Sequence, residues 1–396
     1  MKTKIHALAL KSGRDRSVNN FHPWIFSGAV KNMPEAENGD IVAVTDNHSK
    51  LLGYGFFSPK SQIVCRIFEF TESEINFSEQ SFWDKKIQNA LRLRKQIINF
   101  DTTDTYRLLH AEGDFMPGII ADVYGEVVVV QLLIKGTEKI SKNLFDALEK
   151  AGYGKIFLKN KENPHRFEEV SLKNGWLRGE GAGSVIVKEN NLKFEVNFET
   201  GQKTGFFLDQ RDNRDTVRRF SAGKKVLNAF SYTGGFSISA LAGGAAYVHS
   251  VDISKEASAA AHRNALLNFG NDVAHESVAA DCFDFLRNVP ENQYDLMVLD
   301  PPAFAKNARS VPNASRGYKD LNMTAIQKIA PGGLVFTYSC SQNIDKELFR
   351  KIVFAAAADA GRNVRILQMF SQAPDHPVNI YHPESEYLKG LLLHVE

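Results

Sequence analysis

Residues 224–254 read KKVLNAFSYTGGFSISALAGGAAYVHSVDIS, and the order of features along them decides the fold. Val226–Leu227 opens an apolar run that feeds a loop closed by Gly234-Gly235. A weakly amphipathic segment follows from Phe236 to Leu241, and a second apolar run ends in Asp252. Strand, glycine loop, helix, strand and terminal acid together make the half-fold that holds a nucleoside-bearing cofactor. Glycine lets the backbone approach a ligand, a helix start offers unbonded N–H groups, and a carboxylate can take both ribose hydroxyls. An ordinary βαβ packing unit would show a glycine pair too. Alone, the stretch leaves the ligand open.

Outward from it, strands and helices alternate to the end of the chain. A helix is expected over Lys255–Phe269, a polar strand ending at Asp281, and a short helix over Phe283–Val289. YDLMVLDPPAF (294–304) reads as a strand running into Asp300-Pro301-Pro302. KNARSVPNASRGYKD (306–320) reads as a basic loop, followed by a helix over Leu321–Ile329. LVFTYSCSQ (334–342) is a strand ending in Cys340, a helix spans Asp345–Ala360, and NVRILQM and YLKGLLLHV are the last strands. This spacing predicts an α/β fold with a parallel, doubly wound sheet and one antiparallel edge. Ligands in such sheets bind beyond the carboxyl ends of the strands. Asn228–Gly235, Asp252, Asp281, Asp300–Ala303 and Cys340 all lie at such ends, and that convergence says more than any one motif.

Directly upstream, TGQKTGFFLDQRDNRDTVRRFSA (200–222) reads as a turn and a helix. Arg211, Arg214 and Arg218 share a face, with Asp209, Asp212 and Asp215 interleaved. Ion pairing on a surface helix accounts for the pattern. So does a pocket rim built from Lys203 and GFFLDQRD, and the adjacency to the glycine-loop strand favours the rim.

Residues 1–72 carry short strands, KIHALAL, DIVAVTD, LLGYGFF and QIVCRIFEF, between turn clusters such as PEAENGD and SPKS. They predict a small β-barrel, with FHPWIFSGAV (21–30) as a loop. A helix over 79–99 carries Lys85, Lys86, Arg92, Arg94 and Lys95 with few acidic partners, a pattern that suits phosphate contacts. An α+β unit follows: strands in YRLLHAEGD and GIIADVYGEVVVVQLL, a helix near Glu138–Ala151, then KIFLKN and GSVIVKENNLKFEVNF. KENPHRFEEVSLKNG (161–175) reads as an exposed loop.

Length and composition set the outer bounds. The 396 residues suffice for two or three domains. A net charge of +2 neither demands nor excludes nucleic acid as a partner. Three cysteines without metal-ligand spacing argue against disulfides and zinc and fit a reducing, cytoplasmic setting. No run approaches the roughly 18 apolar residues of a membrane span, so no membrane partner is expected.

These motifs resemble those of class I S-adenosylmethionine-dependent methyltransferases, and the chain as a whole resembles the bacterial family of large-subunit ribosomal RNA cytosine-C5 methyltransferases. The stretches that carry the resemblance are HPWIFSGAV, TGFFLDQRDNR, VLNAFSYTGGFS, VDIS, DPPAF, TYSCS, DAGR and DHPV…YLKG, spread from about residue 20 to the end. The resemblance implies an RNA-binding PUA barrel over 1–72, an α+β linking domain over 73–190 and a Rossmann-like methyltransferase domain over 191–396. It implies S-adenosylmethionine as donor and large-subunit rRNA as partner, and it allows a homodimer. Carried over by position, the loop with Asn228, Phe230, Ser231, Tyr232, Thr233 and Gly234 holds the methionine moiety, while Asp252 and Ile253 take the ribose. Asp281 and Cys282 flank the adenine, with Asp300, Asp209 and Arg211 completing the donor site. Pro301, Pro302 and Lys203 line the acceptor side; the charge of the basic loop itself predicts that Arg309, Arg316 and Lys319 meet RNA phosphates. Many methyltransferases place an acid and three spaced glycines in the first motif. This chain has Asn228 and a glycine pair, so the donor reading rests on the ensemble.

The implied catalytic pair is Cys340 and Asp300. Carbon 5 of cytosine is a poor nucleophile until a thiolate adds to carbon 6 and makes it enamine-like. Asp300, sharing a proton with ring N3, would offset the charge that then develops on the ring. Ala303 stands where some such enzymes carry a second cysteine, which leaves the base for the final proton open among Asp300, a water and Lys203. An rRNA guanine methyltransferase is the nearest alternative, and it needs no thiol. A nicotinamide oxidoreductase lacks its G-x-G-x-x-G run here. A non-catalytic RNA-binding protein on a relic fold is the third.

Overall fold

The computed structural model describes residues 5–160, 168–305 and 307–396. The first seven residues of KENPHRFEEVSLKNG, and Lys306 of the basic loop, lie outside them. The chain divides into two compact units. One holds Met1–Val185, Val196–Gly205 and Pro374–Ser385, the other Ile186–Glu195, Phe206–Ala373 and Glu386–Glu396.

The first unit opens with β1 (His6–Ala9), α1 (Arg16–Asn19), β2 (Trp24–Phe26), β3 (Ile41–Thr45), β4 (Leu51–Phe57) and β5 (Ile63–Phe70). The strands form one five-stranded sheet in the order β1-β3-β4-β5-β2. Alternation sends Leu8, Leu10, Val42, Val44, Cys65 and Ile67 into a common core. Gly55 of LLGYGFF has no room for a side chain, because an added Cβ would fall 2.5 Å from the Cys65 sulfur. Within HPWIF, Trp24–Phe26 is a strand at the sheet edge and not a loop, with Trp24 and Ile25 paired with Arg66 and Cys65.

The basic helix, α2 (Gln80–Ile97), forms where it is expected. Its charges do not all face water. Lys86 donates to the Phe68 carbonyl and pairs with Glu69. Arg94 is fully buried, forked onto the Asp114 carboxylate and donating to the carbonyls of Arg107 and Asp375. These partners are distant in sequence, so a local count of acids misses them. Of the expected phosphate surface, Lys85, Arg92 and Lys95 remain exposed.

A second sheet follows, from β6 (Thr105–His110), β7 (Ile119–Tyr124), β8 (Val127–Leu132), β9 (Lys155–Leu158) and β10 (Gly175–Arg178), in the order β10-β9-β8-β7-β6. The expected single helix is two, α3 (Lys135–Lys139) and α4 (Ser141–Lys150), broken at Ile140. β10 lies at the end of what reads as an exposed loop. It is held by Trp176, whose ring meets Phe157 and Phe198 edge-on. β11 (Ser184–Glu189) and β12 (Leu192–Asn197) are a hairpin turned by Asn190 and Asn191, both with positive φ, as a two-residue hairpin turn demands.

The second unit runs α5 (Arg211–Phe220), β13 (Lys225–Ala229), α6 (Gly235–Ala242), β14 (Tyr247–Asp252), α7 (Lys255–Phe269), β15 (His275–Ala279) and α8 (Cys282–Asn288). It continues through β16 (Leu296–Leu299), α9 (Val311–Lys328), β17 (Gly333–Ser339), α10 (Lys346–Ala360), β18 (Val364–Phe370) and β19 (Lys389–Val395). The seven strands lie in the order β15-β14-β13-β16-β17-β19-β18. Neighbouring residues of one strand feed opposite cores: Val226 packs with Val248 and Val298, Leu227 with Met297 and Val335. Burial on both faces is what a doubly wound sheet requires.

Two expectations change. The antiparallel strand is not the edge: β19 pairs antiparallel with both β17 and β18 and lies between them. The basic loop is mostly helix, since α9 begins at Val311. Asn307 and Ser310 close a reciprocal capping box, and a proline sits in the first turn of α9. Proline there costs no hydrogen bond, so the Pro and Asn that suggest a loop instead start a helix. Among the described residues, no helix is long and apolar enough to cross a membrane.

Arg94→Met tests the buried pairing of the first unit. It strands the Asp114 carboxylate, and urea unfolding should show a loss of about 3–5 kcal/mol. A loss under about 1 kcal/mol would mean that water reaches Asp114 and the pair is not a structural anchor.

Candidate active site

The glycine loop leaves β13 at the point where the strand order reverses. β13 pairs in parallel with β14 on one side and with β16 on the other, the crevice where doubly wound sheets bind ligands. Phe230, Tyr232 and Gly234 all have positive φ, at 60°, 48° and 83°. Two non-glycine residues in the left-handed region within five positions store strain, as ligand-clamping loops do. The surroundings hold the loop in place. Ser231 N–H donates to the Val251 carbonyl at 3.0 Å, Phe230 N–H to the Cys282 sulfur at 3.2 Å, and Asn264 to the Thr233 carbonyl at 2.9 Å. A Cβ on Gly234 would fall 2.9 Å from that of Ala261, so the crossing of loop and α7 admits only glycine. Three buried polar atoms of the loop, Asn228 Oδ1, Ser231 Oγ and Thr233 Oγ1, have no partner among the described residues. Buried polar atoms are nearly always bonded, so their grouping suits a ligand that both donates and accepts.

Asp252 ends β14 beside this loop. Its Oδ2 accepts Tyr232 N–H at 2.8 Å and its Oδ1 accepts Ser254 N–H at 2.9 Å. Both oxygens keep a lone pair for a diol. Ile253 is exposed next to it. Asp281 is the N-cap of α8, with Oδ1 taken by Phe283 and Asp284 N–H groups. Cys282 is buried and donates to the Val251 carbonyl, and burial pushes its thiol up to about 12. It is a packing residue that anchors the loop.

Under the loop runs a polar chain that pattern reading misses. Asn228 donates to Ser237 Oγ at 2.8 Å, Ser237 meets Ser250 at 2.6 Å, and Ser250 meets His275 Nε2 at 2.7 Å. Burial, aided by the charges of His262 and His249, lowers His275 to about 4. The four residues come from four elements, and only the fold assembles them.

The next two strands end at the same edge. β16 ends at Leu299 opposite Thr337 of β17, so Asp300 and Cys340 leave neighbouring strands at the same edge. The Cys340 sulfur is 4.0 Å from the Pro301 carbonyl oxygen. Pro301 is buried and Pro302 exposed. Cys340 is the one cysteine of the three that is not buried. Ser341, fully buried, fixes the backbone after it. Its hydroxyl accepts Ala305 N–H at 3.2 Å and meets the Tyr318 hydroxyl at 2.9 Å, while its carbonyl accepts from Lys389 at 2.6 Å.

The segment before the sheet is buried, which the surface-helix reading of its arginines does not allow. Arg214 forks onto Glu189 at 2.7 and 2.6 Å, donates to the Phe207 carbonyl and lies 4.5 Å over the Phe206 ring. Asp209 accepts from the Tyr387 hydroxyl at 2.6 Å, and Arg211 bonds its neighbour Asp212 at 3.2 Å. Lys203 belongs to the first unit. Arg309 and Arg316 are exposed, the former just before α9 and the latter on it. Lys319 is ion-paired with Asp359 at 2.6 Å, which makes it a weaker phosphate partner than the other two.

His275 gives the site a pH signature. Its folded value lies below its ordinary 6.5, so its contribution to stability is complete above 6.5 and is lost as pH falls towards 4. Urea midpoints at pH 7 and pH 5 should therefore differ less in His275→Asn than in the parent; equal differences would exclude His275 as the group responsible.

Comparison with known proteins agrees with this geometry. The model of an S-adenosylmethionine-dependent methyltransferase family matches residues 107–378, and that of a PUA-like domain matches 8–70. The chain is 40% identical over 394 residues to ribosomal RNA large subunit methyltransferase I of Pseudoalteromonas translucida (strain TAC 125), covering 98% of this chain and 99% of that one. The protein of the same name from Klebsiella pneumoniae (strain 342) is also 40% identical, covering 98% of each. In fold, the crystal structure of SMU.776 complexed with SAH superposes with a TM-score of 0.84 at 24% identity, covering 99% of this chain and 100% of that one. The chain belongs to the S-adenosylmethionine-dependent methyltransferase family, with S-adenosylmethionine as its cofactor and with relatives named ribosomal RNA large subunit methyltransferase I.

Proposed function

We propose that the protein methylates carbon 5 of a cytosine in large-subunit ribosomal RNA, with Cys340 as nucleophile and Asp300 as its partner on the ring. The observation that carries this reading is Cys340 itself, half-buried at the end of β17 beside the turn of Asp300-Pro301-Pro302. The names of the relatives support the RNA class. A guanine nitrogen could attack the donor without help, and a thiol in this position would then have no task.

The donor fits the loop. The ammonium and carboxylate of a methionine moiety would meet the open atoms of Asn228, Ser231 and Thr233, and the ribose hydroxyls would meet Asp252. When bound, the donor supplies an electrophilic methyl on a sulfonium. The chain's own residues prepare the acceptor. The Cys340 thiolate bonds to carbon 6, and the ring's π pair moves to carbon 5, which takes the methyl. Asp300 hydrogen-bonds N3 and offsets the negative charge on the ring. A base then removes the carbon-5 proton, its electron pair restores the double bond, and the sulfur leaves as thiolate.

A thiolate can reach carbon 6 only of an unstacked base, so the target cytosine is single-stranded or flipped. Arg309 and Arg316 are the phosphate partners beside it. The chain is divided as a PUA domain over 1–72, a linking domain over 73–190 and a methyltransferase domain over 191–396. A ribosomal substrate places the protein in the cytoplasm. A homodimer would form along β18, the edge strand on which Ile366, Leu367 and Met369 are exposed.

Cys340→Ala should abolish methyl transfer from labelled donor to rRNA while leaving donor binding by calorimetry intact. The parent enzyme's product nucleoside should be 5-methylcytidine by mass spectrometry. Full activity in the variant, or a methylguanosine product, would overturn the reading. Arg309→Glu with Arg316→Glu should weaken RNA binding and lower the slope of log affinity against log salt by about one per lost phosphate contact. An unchanged slope would remove these arginines from the interface.

A further inference from the structure

Lys389 stands out because neither the glycine loop nor the Asp-Pro-Pro turn accounts for it. It opens β19, paired across the sheet with Ser339, the residue before Cys340. Its side chain is buried, with the residue only 6% exposed. A buried ammonium is costly unless an anion offsets it. Its ammonium donates to the Ser341 carbonyl at 2.6 Å, which satisfies a hydrogen bond and not the charge. The ionisable groups acting on it are Cys340, Asp345 and Glu386, with Lys346 opposing. Glu386 is already paired with Lys346 at 2.5 Å, and Asp345 is the N-cap of α10, accepting Leu348 N–H at 2.7 Å. Cys340 lies between its two contacts, Ser339 across the sheet and the Ser341 carbonyl at the ammonium. Tyr318 also acts on this sulfur and is held in its neutral form by burial, and Asp300 follows β16 at the same edge.

We propose that Lys389 is a positioning residue for the reaction: its buried ammonium holds the Cys340 thiol in its ionised, nucleophilic form, while its bond to Ser341 fixes the backbone that carries the sulfur. Lysine suits the task, being a compact charge that can sit at a strand end where a planar guanidinium would need a wider slot. Burial lowers the ammonium to about 8, so it is mostly charged at neutral pH and loses its effect above that value. The pair is reciprocal: the cation lowers the thiol, and the thiolate raises the lysine.

The inference rests on Cys340 as nucleophile for its meaning, and its test does not need that reading to hold. The pH dependence of iodoacetamide alkylation at Cys340, followed by peptide mass spectrometry on the full chain, reports the thiol directly. Cys65 and Cys282 are buried with raised thiols and serve as unreactive references. In Lys389→Met the alkylation midpoint should rise by about one pH unit, and in Lys389→Arg by less. The kcat at pH 7 should fall about tenfold in Lys389→Met, with partial recovery at pH 9 and an unchanged KM for RNA. An unchanged midpoint in a variant that still binds S-adenosylmethionine would reduce Lys389 to a hydrogen-bond donor at a strand end and overturn the proposal. Should Lys389→Met not fold, Cys340→Ser provides the reciprocal measurement. With 13C-labelled lysine, NMR should show the Lys389 midpoint falling in that variant, and an unmoved midpoint would overturn the proposal equally. Failure of either arm leaves Cys340→Ala as the separate test of the chemistry.

Discussion

Asn228 lies opposite Ser250 on one side and Val298 on the other, and Leu299 lies opposite Thr337. This parallel register of β14, β13, β16 and β17 is the constraint on which the site depends. Parallel strands put their carboxyl ends on one edge, so the glycine loop, Asp252, Asp300 and Cys340 emerge together. Both faces of the sheet are occupied by core, as the alternation of Val226 and Leu227 shows. Chemistry is therefore confined to the strand ends, where backbone groups and polar side chains escape the packing.

Two kinds of expense are concentrated at that edge. The first is backbone strain at Phe230 and Tyr232, of order 1–3 kcal/mol each. Bonds from Val251, Cys282 and Asn264 hold the loop in that shape. The second is buried charge. Arg214 with Glu189 anchors the segment before the sheet through a forked pair. Lys389 is different, because its ammonium is bonded to the Ser341 carbonyl and not to a carboxylate. A group kept for stability alone would have been simpler as a leucine.

How much was legible follows from how local each signal is. The order of strands and helices, the glycine loop and the terminal Asp252 are readable because each is a pattern within a few residues. The resemblance to a methyltransferase family rests on such short runs as well, and the full-length relatives agree with it. Boundaries failed where one residue type serves two purposes. Pro312 and Asn313 suggest a loop, yet proline is welcome in the first turn of a helix, and α9 begins there. The place of β19 inside the sheet was not legible either, since nothing within YLKGLLLHV says which neighbour it pairs with.

The sequence by itself determined the class of fold and the cofactor class, because propensity, alternation and motif spacing act over short range. Only the tertiary structure decided which of the charges are solvent-facing and which are structural. Arg94 finds Asp114, Arg214 finds Glu189, and the chain Asn228–Ser237–Ser250–His275 draws on four elements. It also decided that Lys389, 49 residues beyond Cys340 in the chain, closes on the backbone beside it. Burial and Coulomb energy depend on distance in space, and strand pairing sets that distance without regard to separation along the chain.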